Sequence, residues 1–84
     1  MTNDEVFAVV KRRLLEVCPE IPATEVTREA SMKELDASSL DMVEVVSVSM
    51  RELGVRVARQ QLADLRNIGG LVDLLHTAVQ AKVA

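Results

Sequence analysis

A chain of 84 residues holds one small domain with one modest core and leaves no room for a separate catalytic domain. Thirteen acidic against ten basic side chains give a net charge of −3, and Phe7 is the sole aromatic, so the chain lacks both a basic nucleic-acid footprint and an aromatic platform for bases. No apolar run approaches membrane-spanning length and none follows a basic leader, so a cytoplasmic protein without membrane attachment is expected.

In the first segment, from Thr2 to Val17, Val6, Val10, Leu14 and Val17 recur at helical spacing, and Thr2 with Glu5 has the pattern of a capping box. Pro19 and Pro22 stop that helix, because proline has no amide donor and biases its predecessor away from helical angles. A long loop then runs to about Asp36. Val26, Met32 and Leu35 are expected to pin it across the molecule, with a short turn over residues 30–34, which favours an ordered, working loop.

From Ser38, SSLDMVEVVSVSMRELG reads as a second helix. Ser38 caps it, Asp41 completes the box and suits the positive end of the dipole, and Gly54 ends it. VRVA, residues 55–58, alternates like a strand but has no partner strand, so it reads as an extended connector. QQLADLRN reads as one or two helical turns, and Asn67 as the cap of a last helix from Ile68 to about Lys82. Ile68, Leu71, Val72, Leu75 and Val79 form its buried stripe. Gly69 and Gly70 are misplaced in its first turn, each costing up to about 1 kcal/mol relative to alanine, and imply either fraying or close packing of another helix. The expected fold class is all-α: a four-helix bundle of three main helices and one short third helix, in a single domain spanning residues 1–84.

The residue types of catalysis do not assemble into a site. His76, the only histidine, sits near the end of the last helix without a partner. Cys18 precedes Pro19 with no neighbouring cation to lower its pKa and reads as core filler; being alone, it forms no internal disulfide. Asp4 with Glu5, and Asp41 with Glu44, read as solvated or capping carboxylates, not metal ligands. Gly69-Gly70 lacks the strand, lysine and spacing of a phosphate loop. A non-enzyme without catalytic or metal residues is expected.

The informative segment is LDASSLDMVEVV, in which a structured loop delivers serine to the first turn of a helix. It resembles the carrier-protein signature Leu-Gly-x-Asp-Ser-Leu, whose serine hydroxyl takes phosphopantetheine from coenzyme A. In that register Leu35 matches the loop-anchoring leucine, Ala37 the variable position, Ser39 the modified serine and Leu40 the residue after it, while Asp41 extends the match to the form common in discrete carriers. The order of helices and loop along the chain also resembles that of stand-alone acyl carrier proteins. Two positions depart: Asp36 stands where glycine is common, and Ser38 where aspartate usually helps present the serine for metal-dependent transfer. Ser38 can cap the helix but brings no charge, which implies slower modification or a dedicated transferase.

The resemblance implies a monomer whose Ser39 receives a 4'-phosphopantetheine arm from a separate phosphopantetheinyl transferase. Its acyl thioesters would pass to acyl-loading and acyl-processing enzymes such as a ketosynthase or acyltransferase. On the second helix Met42, Val45, Val46 and Leu53 fall in one core arc, with Ser49 as a small polar member. Leu40, Val43 and Met50 lie toward another side; periodicity alone reads them as more core, whereas the resemblance assigns Leu40 and Val43 to partner contact. The interface that the resemblance implies is Leu40, Asp41, Val43, Glu44 and Met50, since acyl carriers present an acidic second helix to basic partner patches, with Glu52 extending that acidic character and Arg51 interrupting it. Arg56, Arg59 and Arg66 make the next segment basic, either as a solvated loop or as a patch suited to polyketide or other specialised biosynthesis over housekeeping fatty acid biosynthesis. The alternatives are a peptidyl or aminoacyl carrier and an unmodified helical adaptor.

Overall fold

The amides at a helix start have no partner within the helix, so side chains able to accept from them decide where each helix begins. In the computed structural model, Thr2 Oγ1 accepts from Glu5 N–H at 3.2 Å while Glu5 accepts from Thr2 N–H at 2.8 Å, and this reciprocal pair opens α1 (Asn3–Val17). Ser38 and Asp41 form the same pair at the start of α2 (Ser39–Leu53). A short α3 (Arg59–Ala63) and a long α4 (Ile68–Val83) follow, giving the four-helix, all-α bundle expected. The structure describes residues 1–63 and 65–83; the side chains of Ser39, Arg59 and Val83, and residue 64 within the expected third-helix segment, lie outside the described residues.

α1 packs against both α2 and α4. It supplies Val6, Val9, Val10 and Leu14 to the core, α2 supplies Val45, Val46 and Leu53, and α4 supplies Ile68, Leu71, Val72, Leu75 and Val79. Met42, expected in the α2 arc, is only half-buried against this core. α2 ends as the sequence indicates: Gly54 takes left-handed angles, φ 69° and ψ 33°, and Val55 N–H reaches back to the Met50 carbonyl at 3.1 Å. A Cβ at Gly54 would lie 2.5 Å from Lys82 Nζ, so the end of α4 also closes over this corner.

The long connection between α1 and α2 is part of the core. Cys18, Ile21, Val26, Ala30 and Leu35 are all buried, and a 3-10 turn, Ala23–Glu25, bends the chain between them. Burial pushes the Cys18 thiol pKa up, as does the neighbouring Asp41 carboxylate, consistent with a filling role. The crowding at Gly69 comes from this loop, not from another helix. Gly69 N–H donates to the Arg28 carbonyl at 2.7 Å and Ile68 N–H to the Ala30 carbonyl at 2.9 Å. A Cβ on Gly69 would sit 3.0 Å from that Arg28 oxygen. Asn67 Oδ1 accepts from Gly70 N–H at 2.8 Å, so the first three amides of α4 are all satisfied and its start is held.

Arg28 also ties the loop to the start of α1. Its guanidinium lies 4.5 Å from the centroid of the Phe7 ring and donates to Asn3 Oδ1 at 3.1 Å and Asp4 Oδ1 at 2.5 Å. Among the described residues no helix is long and apolar enough to cross a membrane.

Among the described residues Ser49 is the exception in a well-satisfied interior: its side chain is fully buried and its Oγ has no hydrogen-bond partner. A buried unsatisfied hydroxyl costs roughly 1–3 kcal/mol, whereas alanine fills nearly the same space without that penalty. Ser49→Ala should therefore raise unfolding stability by about 1 kcal/mol, which for a domain of this size is a melting-point rise of about 4–8 °C. Differential scanning calorimetry checks it, and a lower melting point would show that the hydroxyl is paired in solution.

Candidate functional site

One capped turn and one helix start build the site. Ser31 Oγ accepts from Glu34 N–H at 3.1 Å while Glu34 accepts from Ser31 N–H at 3.2 Å, and Leu35 N–H closes a single helical turn onto the Ser31 carbonyl. The turn then stops abruptly. Asp36 N–H donates to the Lys33 carbonyl and Ala37 N–H to the Met32 carbonyl, the paired pattern that ends helices through a left-handed residue. That residue is Asp36, at φ 58° the one described non-glycine residue with positive φ. Glycine at this position of the signature thus answers a backbone requirement, which aspartate meets at lower cost than most side chains.

Leu35 is buried beneath this turn, and three residues after Asp36 the chain enters α2. Ser38 is the N-cap, in extended conformation at φ −78° and ψ 167°, and Ser39 is the first residue of the helix. An aspartate at position 38 would serve as an equally good cap, so Ser38 preserves the helix start and gives up the charge. The Asp41 carboxylate accepts from Ser38 N–H at 3.1 Å and lies beside the Cys18 thiol. The Ser38 backbone hydrogen bond, foremost, holds its pKa below the ordinary value.

The interface residues expected on α2 separate into three kinds. Leu40 and Val43 are 81% and 60% exposed, unusual for large apolar side chains in a chain this small. Glu44 is also exposed, whereas Asp41 is half-buried in its capping pair. Met50 is half-buried: it packs against the core, and its sulfur accepts from Val57 N–H at 3.3 Å, fixing the connector after α2. Glu52 does not extend an acidic face, because Arg12 and Arg13 of α1 hold it, Arg13 Nε at 2.8 Å. The Arg12 hydrogen bond, first, and that of Arg13 keep the Glu52 pKa low.

An apolar groove opens beside Ser38 and Leu40 and runs between α2 and the α3 side of the molecule, walled by Met32, Met42, Val46, Met50, Leu62 and Leu65. Sequence periodicity gave no sign of it, since its walls come from four separate segments. Catalytic groups do not converge here: Cys18 is buried, and His76 is half-buried on α4. Among the described residues no three His, Cys, Asp or Glu side chains cluster to hold a metal. The arrangement can present a serine backbone position at a helix start, beside exposed apolar side chains and a groove.

Known proteins resemble this chain in sequence and fold. The family described as "Phosphopantetheine attachment site" matches residues 8–75. A polyketide biosynthesis acyl-carrier-protein, AcpK, of Bacillus subtilis is 30% identical over 81 residues, which cover 96% of this chain and 99% of that protein. An acyl carrier protein of Saccharopolyspora erythraea is 37% identical over 75 residues, covering 88% and 78%. Among solved structures, the crystal structure of the curacin biosynthetic pathway HMG synthase in complex with its acetyl donor-ACP aligns with a TM-score of 0.81 and 28% identity, over 92% of this chain and 99% of the matched one.

The left-handed backbone at Asp36 makes two substitutions diverge. Asp36→Gly should stay within about 1 kcal/mol of the parent, relief of strain offsetting the more flexible unfolded chain. Asp36→Val should lose about 1–2 kcal/mol in urea unfolding; equal tolerance of both would remove the requirement. Asp41 predicts a pH effect. Since its folded-state pKa lies below the ordinary 3.8, its stabilisation is complete above that value and is lost as pH falls through the lowered one. The stability gap between the parent and Asp41→Asn should therefore close on acidification below about pH 4. A gap that persists at lower pH would contradict this linkage.

Proposed function

The chain belongs to the acyl carrier protein family, whose members bear a phosphopantetheine attachment site, and from that premise we propose that Ser39 is the residue that carries the arm. As a member of that family it is a carrier and not a catalyst: a phosphopantetheine arm supplies the thiol on which acyl groups are held as thioesters. The observation that carries the assignment to Ser39 is its position as the first residue of α2, directly after a capped turn whose left-handed residue falls where the signature has glycine. A phosphodiester attached there would lie at the positive end of α2, where a negative charge is stabilised. The groove beside Ser38 and Leu40 offers apolar walls to the arm and a short acyl group, and its methionines allow those walls to adjust.

Single-domain operation over residues 1–84, a cytoplasmic location and a monomeric state complete this reading. Its partners are a phosphopantetheinyl transferase and the enzymes that load and process acyl groups, of ketosynthase or acyltransferase type. Likeness to a polyketide carrier over nearly the whole chain favours polyketide or related specialised biosynthesis. A solved relative that sits in complex with an HMG synthase favours docking onto separate enzymes.

Incubation with coenzyme A and a broad-specificity transferase should add one phosphopantetheine mass, and Ser39→Ala should abolish the addition. Ser38→Ala should keep it while losing about 1 kcal/mol of stability with the cap. Loss of the arm in Ser38→Ala alone would move the site to Ser38. No addition with any of several transferases, together with an arm-free native mass, would leave the unmodified adaptor.

A further inference from the structure

Resting on the reading of Ser39 as the arm-bearing residue, we propose that the solvent face of α2 docks onto enzymes whose surface is acidic where it meets the end of the helix remote from the arm. Leu40, Glu44, Ser47 and Arg51 follow one another at spacings of four, three and four, so they form a single stripe along α2, opposite the buried Val45 and Ser49. The stripe changes character along its length. Near Ser39 it is apolar, with Leu40 and Val43 exposed; at the far end it is cationic.

Internal bonds produce this polarity. Of the three acidic residues on α2, Asp41 is committed to the capping pair with Ser38, and Glu52 is held by Arg12 and Arg13. Glu44 alone of the three makes no ion pair or side-chain hydrogen bond among the described residues. Arg51 and Arg56, by contrast, are exposed and without an ion pair among the described residues. The negative end of the helix suits Arg51, but Arg56 lies two residues beyond Gly54, where helix polarity gives no reason for it.

The two arginines border one shallow recess, which Met50, Val55 and Val57 line with apolar surface. Paired forked donors over an apolar floor fit a carboxylate side chain, whose oxygens meet the guanidiniums while its stem rests on the floor. Leu40 and Arg51 are about 16 Å apart along the helix, at 1.5 Å per residue, within the span of one ordinary protein interface. The partner surface therefore combines an apolar recess for Leu40 and Val43 with carboxylates facing Arg51 and Arg56. A basic surface at that end would be repelled, and charge matching of this kind selects partners through encounter rate and register.

The test uses holo carrier, its arm verified by intact mass, loaded with an acetyl group and offered to purified ketosynthases chosen for acidic or basic surfaces around the active-site entrance. Acidic-surfaced enzymes should accept the acyl group with at least about tenfold higher kcat/KM. The double variant Arg51→Glu, Arg56→Glu should lower that value about tenfold, mainly through KM, and raise it with basic-surfaced enzymes. Arg51→Lys, Arg56→Lys should restore most of the activity, separating charge from folding. Preference for basic surfaces, no transfer to any acidic-surfaced enzyme, or indifference to the double reversal would each overturn the proposal. Failure of the Ser39 reading would show earlier and separately, as a carrier that never gains the arm.

Discussion

The start of α4 and the middle of the long loop hold each other, and the placement of the α2 start depends on that contact. Two loop carbonyls, of Arg28 and Ala30, accept the Gly69 and Ile68 amides. Those amides have no partner within their own helix, so the loop supplies what α4 lacks, and in return the loop's midpoint is fixed. Glycine at position 69 allows the approach, because a Cβ there would press on the Arg28 oxygen at 3.0 Å. Arg28 extends the tie to α1 through Phe7, Asn3 and Asp4. From that fixed point only four residues separate Ala30 from Leu35, whose burial sets the capped turn that leads into α2.

α2 carries two obligations, and its side chains divide them sharply. Val45, Val46 and Leu53 face the core, while Leu40 and Val43 face solvent although they are as apolar as the core residues. Burying them would stabilise the fold by roughly 1.5–3 kcal/mol each. Their exposure is not explained by the chain's own packing, and exposed apolar side chains of this kind are what the proposed docking face uses. Ser49 shows the complementary imperfection, a hydroxyl enclosed without a partner where alanine would serve stability better. The helix is thus neither as buried nor as well satisfied as its composition allows.

Much of the architecture was legible because it is governed by local chemistry. Thr2, Ser38, Gly54 and Asn67 mark helix ends through bonds formed within a few residues, and the α4 stripe follows from a 3.6-residue repeat. What escaped was set by contacts distant in sequence. The Glu52 pairing joins residues some 40 positions apart, so the acidic face that the resemblance implied lost one of its three charges. Gly69 was readable as a site of close approach, but no pattern indicates that the approaching group is a loop carbonyl in place of a helix. The groove had no sequence signal at all, being walled by segments that alternate with core positions. For Ser39 the sequence carried the attachment reading through its register with a known signature, and the fold adds the helix start on which that register rests.

The two departures from the carrier signature are unlike in consequence. At Asp36 the requirement is conformational, and a short polar side chain can take left-handed angles at modest cost, so the turn survives. At Ser38 the backbone role is again preserved, because serine caps as aspartate does, but the negative charge beside Ser39 is gone. Asp41 does not replace it freely, since its carboxylate is occupied with the Ser38 amide and lies against Cys18. The backbone at the start of α2 therefore keeps its capped geometry and is altered in charge. On the proposed reading of Ser39, a modifying enzyme that depends on a capped backbone at the helix start would meet one here, whereas one that depends on a carboxylate preceding the serine would not. The same separation of shape from charge runs along α2, where Leu40 and Val43 are exposed apolar side chains near its start and Arg51 with Arg56 places positive charge around a recess at its far end.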